Sequence, residues 1–210
     1  MADAVFDQEA PPTPVGGTVN TLFPHSSTAQ FSEQNNAGYV RTLHGLHNSN
    51  TADVVANAAD TYLTGSNLAI PSHKLQVGTK FTWVMAITKT AAGVATPIWR
   101  IRIGTAGSVA DTARLTLTGP AQTGVIDTAY VTVEVTVRAI GGASGVISGV
   151  LTLTHNLDAT GFANIGSPTL VATSAAFDTT VAGLIIGISV DPGALGVWTH
   201  TIVDADAWNI

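Results

Sequence analysis

Residues 129–140 read AYVTVEVTVRAI, in which Val131, Val133, Val135 and Val137 alternate with Thr132, Glu134, Thr136 and Arg138. A two-residue period sends successive side chains to opposite faces, so the stretch predicts a long β-strand with one apolar and one polar face. At about 3.4 Å per residue it spans roughly 40 Å, and its valine row requires a second apolar sheet as cover. The same period predicts strands over Asp60 to Leu63, Leu68 to Ile70, Lys80 to Lys89, Ile98 to Gly104, Ala113 to Leu117, Val146 to His155, Thr169 to Phe177, Leu184 to Val190 and Val197 to Asp204. Turn residues such as Gly65-Ser66-Asn67, Gly119-Pro120, Gly141-Gly142 and Pro192-Gly193 separate them. Short strands punctuated this way, with no long helical segment between them, predict an all-β chain whose main body is an antiparallel, jelly-roll-like β-sandwich. Alternation turns Trp99, Ile101, Ile103, Leu151 and Leu153 inward, and Arg100, Arg102, Thr152 and Thr154 outward.

Ahead of that sandwich, assigned to 60–210, the pattern is weaker. Residues 1–15 carry Pro11-Pro12-Thr13-Pro14 and predict an extended arm. Residues 16–45 hold short strand-like pieces, Thr18 to Phe23, Ala29 to Ser32 and Tyr39 to Leu43, which predict a small β attachment module. Residues 46–59 read as a connector, in which an Asn/Ser/Thr cap signal before Ala52-Asp53-Val54-Val55 allows at most a turn or two of helix.

Composition narrows the partners. Hydrophobic residues make up 45% of the chain and charged residues only 10%, so the polar faces are built from threonine and serine. Such faces are poorly protected against association, which closed symmetry resolves without open-ended aggregation. A net charge of −6 and eight scattered Lys+Arg exclude a basic track for nucleic acid. With no cysteine there is no disulfide, thiolate metal site or cysteine nucleophile. The acidic segment MADAVFDQEAPP lacks the basic and apolar regions of a signal peptide, and no apolar run is long enough for membrane insertion.

The chemistry-bearing residues are sparse. His44 and His47 stand three apart, a spacing able to share a metal, but no adjoining cysteine or carboxylate completes a site, so neither metal nor cofactor is expected. No Gly-x-Ser-x-Gly elbow is present, and Ser144 sits in a glycine turn. Asp204 and Asp206 alternate onto one face, while Asp111 and Asp127 lie near turns. These read as a solvated strand end and turn chemistry, so no catalytic residue and no enzyme activity is expected. Trp198 and Trp208 flank His200 and the two aspartates; Trp198, His200 and Trp208 form a candidate glycan-contact patch, unless the tryptophans plug the sandwich end or a subunit seam.

A resemblance adds to this reading. Pro14-Val15-Gly16-Gly17-Thr18-Val19, followed by Phe31-Ser32 and Asn36-Ala37-Gly38-Tyr39-Val40, resembles a glycine-anchored element near the N-termini of structural proteins of tailed bacteriophages. Leu63-Thr64-Gly65-Ser66, Leu75-Gln76-Val77-Gly78-Thr79 and Gly104-Thr105-Ala106-Gly107 are similar to turns in the sandwich domains of phage fibre, spike and head-decoration proteins. The resemblance implies a virion component, a homotrimer anchored to capsid, collar or tail proteins through Pro14, Gly16, Gly17, Val19, Phe31, Gly38 and Val40, with the C-terminal sandwich outward. Its alternative is a receptor-binding tail fibre or adhesin that contacts host-surface glycan. A glycan-degrading spike, working through Asp204 or Asp206, ranks behind both.

Overall fold

Three short strands come first. The computed structural model describes residues 21–25, 30–34, 40–42, 45–71 and 75–210, and among these there is no helix. Strands β1 (Thr21–His25), β2 (Gln30–Gln34) and β3 (Val40–Thr42) pair antiparallel, in chain order, into a three-stranded sheet. Phe31 pairs with Pro24 and Val40 with Gln34. The arm at 1–15, and with it Pro14, Gly16, Gly17, Val19 and Gly38, lies outside the described residues.

The expected connector proves to be strand. β4 (His47–Asn50) and β5 (Val54–Asn57) both pair with the last strand of the sandwich, so both belong to its larger sheet. The signal read as a helix cap is a turn between these strands: the Asn50 side chain accepts from the Ala52 amide at 3.1 Å and donates to the Ala52 carbonyl at 2.9 Å. Asparagine at such a position serves an Asx-turn as readily as a helix cap. Long-range pairing decided between them, because an exposed sheet edge supplies the backbone partners that a one-turn helix lacks.

The remaining strands are β6 (Thr61–Tyr62), β7 (Leu68–Ala69), β8 (Lys80–Lys89), β9 (Ile98–Gly104), β10 (Thr112–Thr118), β11 (Asp127–Ala139), β12 (Val146–His155), β13 (Thr169–Thr173), β14 (Ile185–Asp191) and β15 (Val197–Trp208). The larger sheet has seven strands in the order β13-β12-β11-β8-β15-β4, with β5 also on β15; the smaller has five, β10-β9-β14-β6, with β7 on β14. All pairs are antiparallel. The chain crosses between sheets after β5, β7, β8, β10, β13 and β14, so neighbours such as β8 and β15 are far apart in sequence, a jelly-roll-like arrangement. The strand expected to end at Phe177 stops at Thr173, and Phe177 instead makes an isolated bridge to Gly145.

The valine row of β11 finds its cover. Val131, Val133, Val135 and Val137 are buried against a core that includes Trp99, Ile101 and Ile103 from β9 and Ile186, Ile188 and Val190 from β14. Each valine so removed from water contributes about 1.5–3 kcal/mol. At one end of the core Trp198 packs on Trp99, with ring centroids 5.3 Å apart, and edge-on to Phe162 at 5.1 Å. Two of the three buried tryptophans have partners for their ring nitrogens: Trp83 Nε1 donates to the Ser66 carbonyl at 2.7 Å and Trp198 Nε1 to Gln122 Oε1 at 2.9 Å, whereas Trp99 Nε1 has none.

Candidate functional site

The last strand changes face part-way along. Between His200 and Ile202 the pairing of β15 with β8 slips by one residue, a β-bulge. Before it Trp198 and His200 point into the core; beyond it Val203, Ala205 and Ala207 do so. Asp204, Asp206 and Trp208 therefore share the outward face, and the candidate glycan patch of Trp198, His200 and Trp208 is split between opposite faces. Trp198 and His200 are fully buried, which removes both from contact with an external glycan. Trp208 is 59% exposed.

His47 completes the outward cluster. The register of β4 on β15 sets it directly across from Asp206, with Ser49 across from Asp204. His47 Nδ1 lies 2.9 Å from Asp206 Oδ1 and 3.5 Å from Asp204 Oδ1. Both carboxylates and the imidazole are partly exposed. Spacing made Asp204 and Asp206 visible as a pair, and His47 visible beside His44, but only strand pairing joins the two motifs. His44 lies outside the described residues. The aspartates sit two residues apart on one face of a single strand.

Two other polar clusters are structural in character. At the end of the larger sheet Lys89 is buried, and its Nζ donates to the carbonyls of Thr90, Thr123 and Val125 at 3.0, 2.7 and 3.0 Å. Burial lowers its pKa, and neighbouring Asp127 opposes that shift. Asp127 in turn accepts from the amides of Thr128 and Phe162 and bonds His155 Nδ1 at 2.8 Å. Gly161 passes so close that a Cβ there would sit 2.1 Å from Asp127 Oδ2, at a φ of +83° that favours glycine. On the smaller sheet Arg102 bonds Ser189 Oγ at 2.7 Å and the Val109 and Asp111 carbonyls, and pairs with Asp60. Asp60 also pairs with Arg100 at 3.1 Å. Both arginines lie on the face opposite Trp99, Ile101 and Ile103, but where alternation expected them to meet solvent or a neighbouring subunit, this network within the chain leaves Arg102 buried. Tyr62, nearby, has its pKa pushed up to about 12, first by burial and then by Asp111.

Asp111 serves its own loop, accepting from the amides of Ala106 and Gly107 at 3.0 and 2.7 Å. The remaining histidine of note, His200, lies 3.2 Å through Nδ1 from the Val54 carbonyl, and burial drives its pKa down to about 4.

The larger sheet's outward face is mostly uncharged, its charges being Lys80 on β8, Glu134 and Arg138 on β11, and Asp204 and Asp206 on β15. Thr82, Val84, Ala86 and Thr88 on β8 are followed across the sheet by Thr132 and Tyr130 on β11, Thr152 and Val150 on β12, and Val171 on β13. Val171 is 72% exposed and pairs with Val150, itself exposed.

No protein-family model matches the chain, and no curated protein matches it. Among solved structures, a lectin from Bauhinia forficata in complex with GalNAc aligns over 90% of this chain and 91% of its own, at 9% identity and a TM-score of 0.28. At that TM-score the likeness carries no argument about this chain.

Proposed function

We propose that the protein is a non-enzymatic structural component of a bacteriophage virion, a trimeric decoration or fibre protein anchored by its N-terminal part with the sandwich exposed. The observation that carries this reading is the outward face of the larger sheet. It is broad and carries few charges, Lys80, Glu134, Arg138, Asp204 and Asp206, among threonine, valine and alanine, and it sets Val150 beside Val171 and Tyr130 beside Ala86, the kind of surface that packs against another copy. The separate three-stranded sheet suits an attachment module, since strands of five, five and three residues bury little by themselves. The resemblance of the N-terminal segment to phage virion proteins points the same way. Immunogold electron microscopy of intact virions, with antibodies against residues 60–210, tests it. Label on head, collar or tail is the expected outcome. Particles that bear no label and contain no such chain by mass spectrometry would overturn it.

One observation favours the second reading, a receptor-binding fibre. Trp208 is an exposed aromatic ring two residues from Asp206 on the same outward face, a pairing able to stack on a sugar and accept from its hydroxyls. Loss of glycan-array binding on Trp208→Ala, with Trp99 and Trp198 untouched in the core, is its expected signature.

A further inference from the structure

We infer that His47, Asp204 and Asp206 form a binding site for a divalent transition-metal ion, of which zinc is the representative. Three observations carry this. The first is geometric. His47 Nδ1 and one carboxylate oxygen from each aspartate all lie within 4.8 Å of one another, with Nδ1 at 2.9 and 3.5 Å from the two oxygens. Metal bonds of about 2.0–2.1 Å at tetrahedral angles place ligand atoms roughly 3.3 Å apart. Both distances from Nδ1 are already close to that spacing.

The second observation is an unmet oxygen. Asp204 Oδ1 is shielded from solvent and accepts no hydrogen bond, although its side chain as a whole is 37% exposed. His47 Nδ1 carries at most one proton, and its short contact is to Asp206. A single imidazole N–H cannot serve both carboxylates, whereas one cation can coordinate both oxygens together with a deprotonated Nδ1. The third is charge. Among the described residues no lysine or arginine pairs with either aspartate, so two like charges on one strand face are balanced by nothing but a histidine.

A nitrogen together with two oxygens suits zinc and its first-row neighbours, while an imidazole ligand disfavours calcium and magnesium, which take oxygen donors. Three protein ligands leave a fourth position to water or to an oxygen donor from a partner. Because the ligands come from β4 and β15, a bound ion would cross-link the first strand of the sandwich to its last. The site thus ties the segment that leads in from the N-terminal sheet to the sandwich.

Isothermal titration of the tag-free full chain with zinc, alongside His47→Asn, Asp204→Asn and Asp206→Asn, tests this. The expected result is one ion per chain, affinity lost at least tenfold in each variant, and no competition from a hundredfold excess of calcium. Cobalt substituted for zinc should give visible absorption in the wild type that Asp206→Asn abolishes, and zinc should slow hydrogen exchange at the β4 amides of Asn48 and Asn50. Zinc binding that survives all three substitutions unchanged would place the ion on other histidines and overturn the site, as would no binding at millimolar zinc by a chain whose circular dichroism is that of a folded β protein. Each variant is checked by the same spectrum, so loss of fold is distinguished from loss of the ion.

Discussion

His200 makes the sandwich sensitive to acid, and the size of the effect follows from its burial. The ring is fully enclosed, lies 6.4 Å from Trp198 and has one polar contact, from Nδ1 to the Val54 carbonyl, while its Nε2 is buried without a partner. Protonation would place a charge on Nε2 with nothing to receive it. The folded-state pKa accordingly falls from 6.5 to about 4. Between those values the unfolded chain binds a proton at His200 and the folded chain does not, so stability is intact above the unfolded pKa and declines as pH falls toward the folded one. At 1.36 kcal/mol per unit, the loss is about 2 kcal/mol at pH 5 and about 3 kcal/mol once pH falls below the folded pKa. Guanidinium denaturation followed by tryptophan fluorescence at pH 7.5 and pH 5, at one fixed protein concentration, measures it. Carboxylates titrate over the same range, so the decisive quantity is a double difference. His200→Gln keeps a donor for Val54 and cannot be charged, and it should lower the pH-dependent loss by about 2 kcal/mol relative to wild type. Equal losses in the two proteins would refute the argument that an uncompensated buried imidazole sets this acid limit.

The remaining predictions concern burial. Trp198→Ala removes a ring packed between Trp99 and Phe162 and should cost about 3–5 kcal/mol in chemical denaturation, whereas Trp208→Ala on the exposed face should stay within about 0.5 kcal/mol; comparable losses would contradict the bulge that separates them. Lys89→Met keeps the apolar stem but strips three carbonyls of their shared donor, and should destabilise by about 1–3 kcal/mol; an unchanged denaturation midpoint would mean that water replaces the ammonium.

What the sequence determined was the strands and most of their faces. Lys80–Lys89, Ile98–Gly104 and Val146–His155 are legible to the residue, and β11 to within two, because a two-residue period with valine, isoleucine and threonine has few other ways to bury its apolar row. Even the buried tryptophans Trp83 and Trp99 follow from alternation. The tertiary structure decided three things that local pattern could not. It made β4 and β5 strands, since His47-Asn48-Ser49-Asn50 has no apolar period and is extended only because β15 offers it an edge. It inserted the bulge at Thr201, where a single extra residue reverses every later side chain and parts Trp198 and His200 from Asp204, Asp206 and Trp208. The exposed Thr201-Ile202 step, after which the small apolar residues move to odd positions, is the trace of it in the sequence. Finally, it brought His47 across 159 residues to Asp206. Periodicity describes one strand at a time, and a site shared between two strands exists only once their register is set.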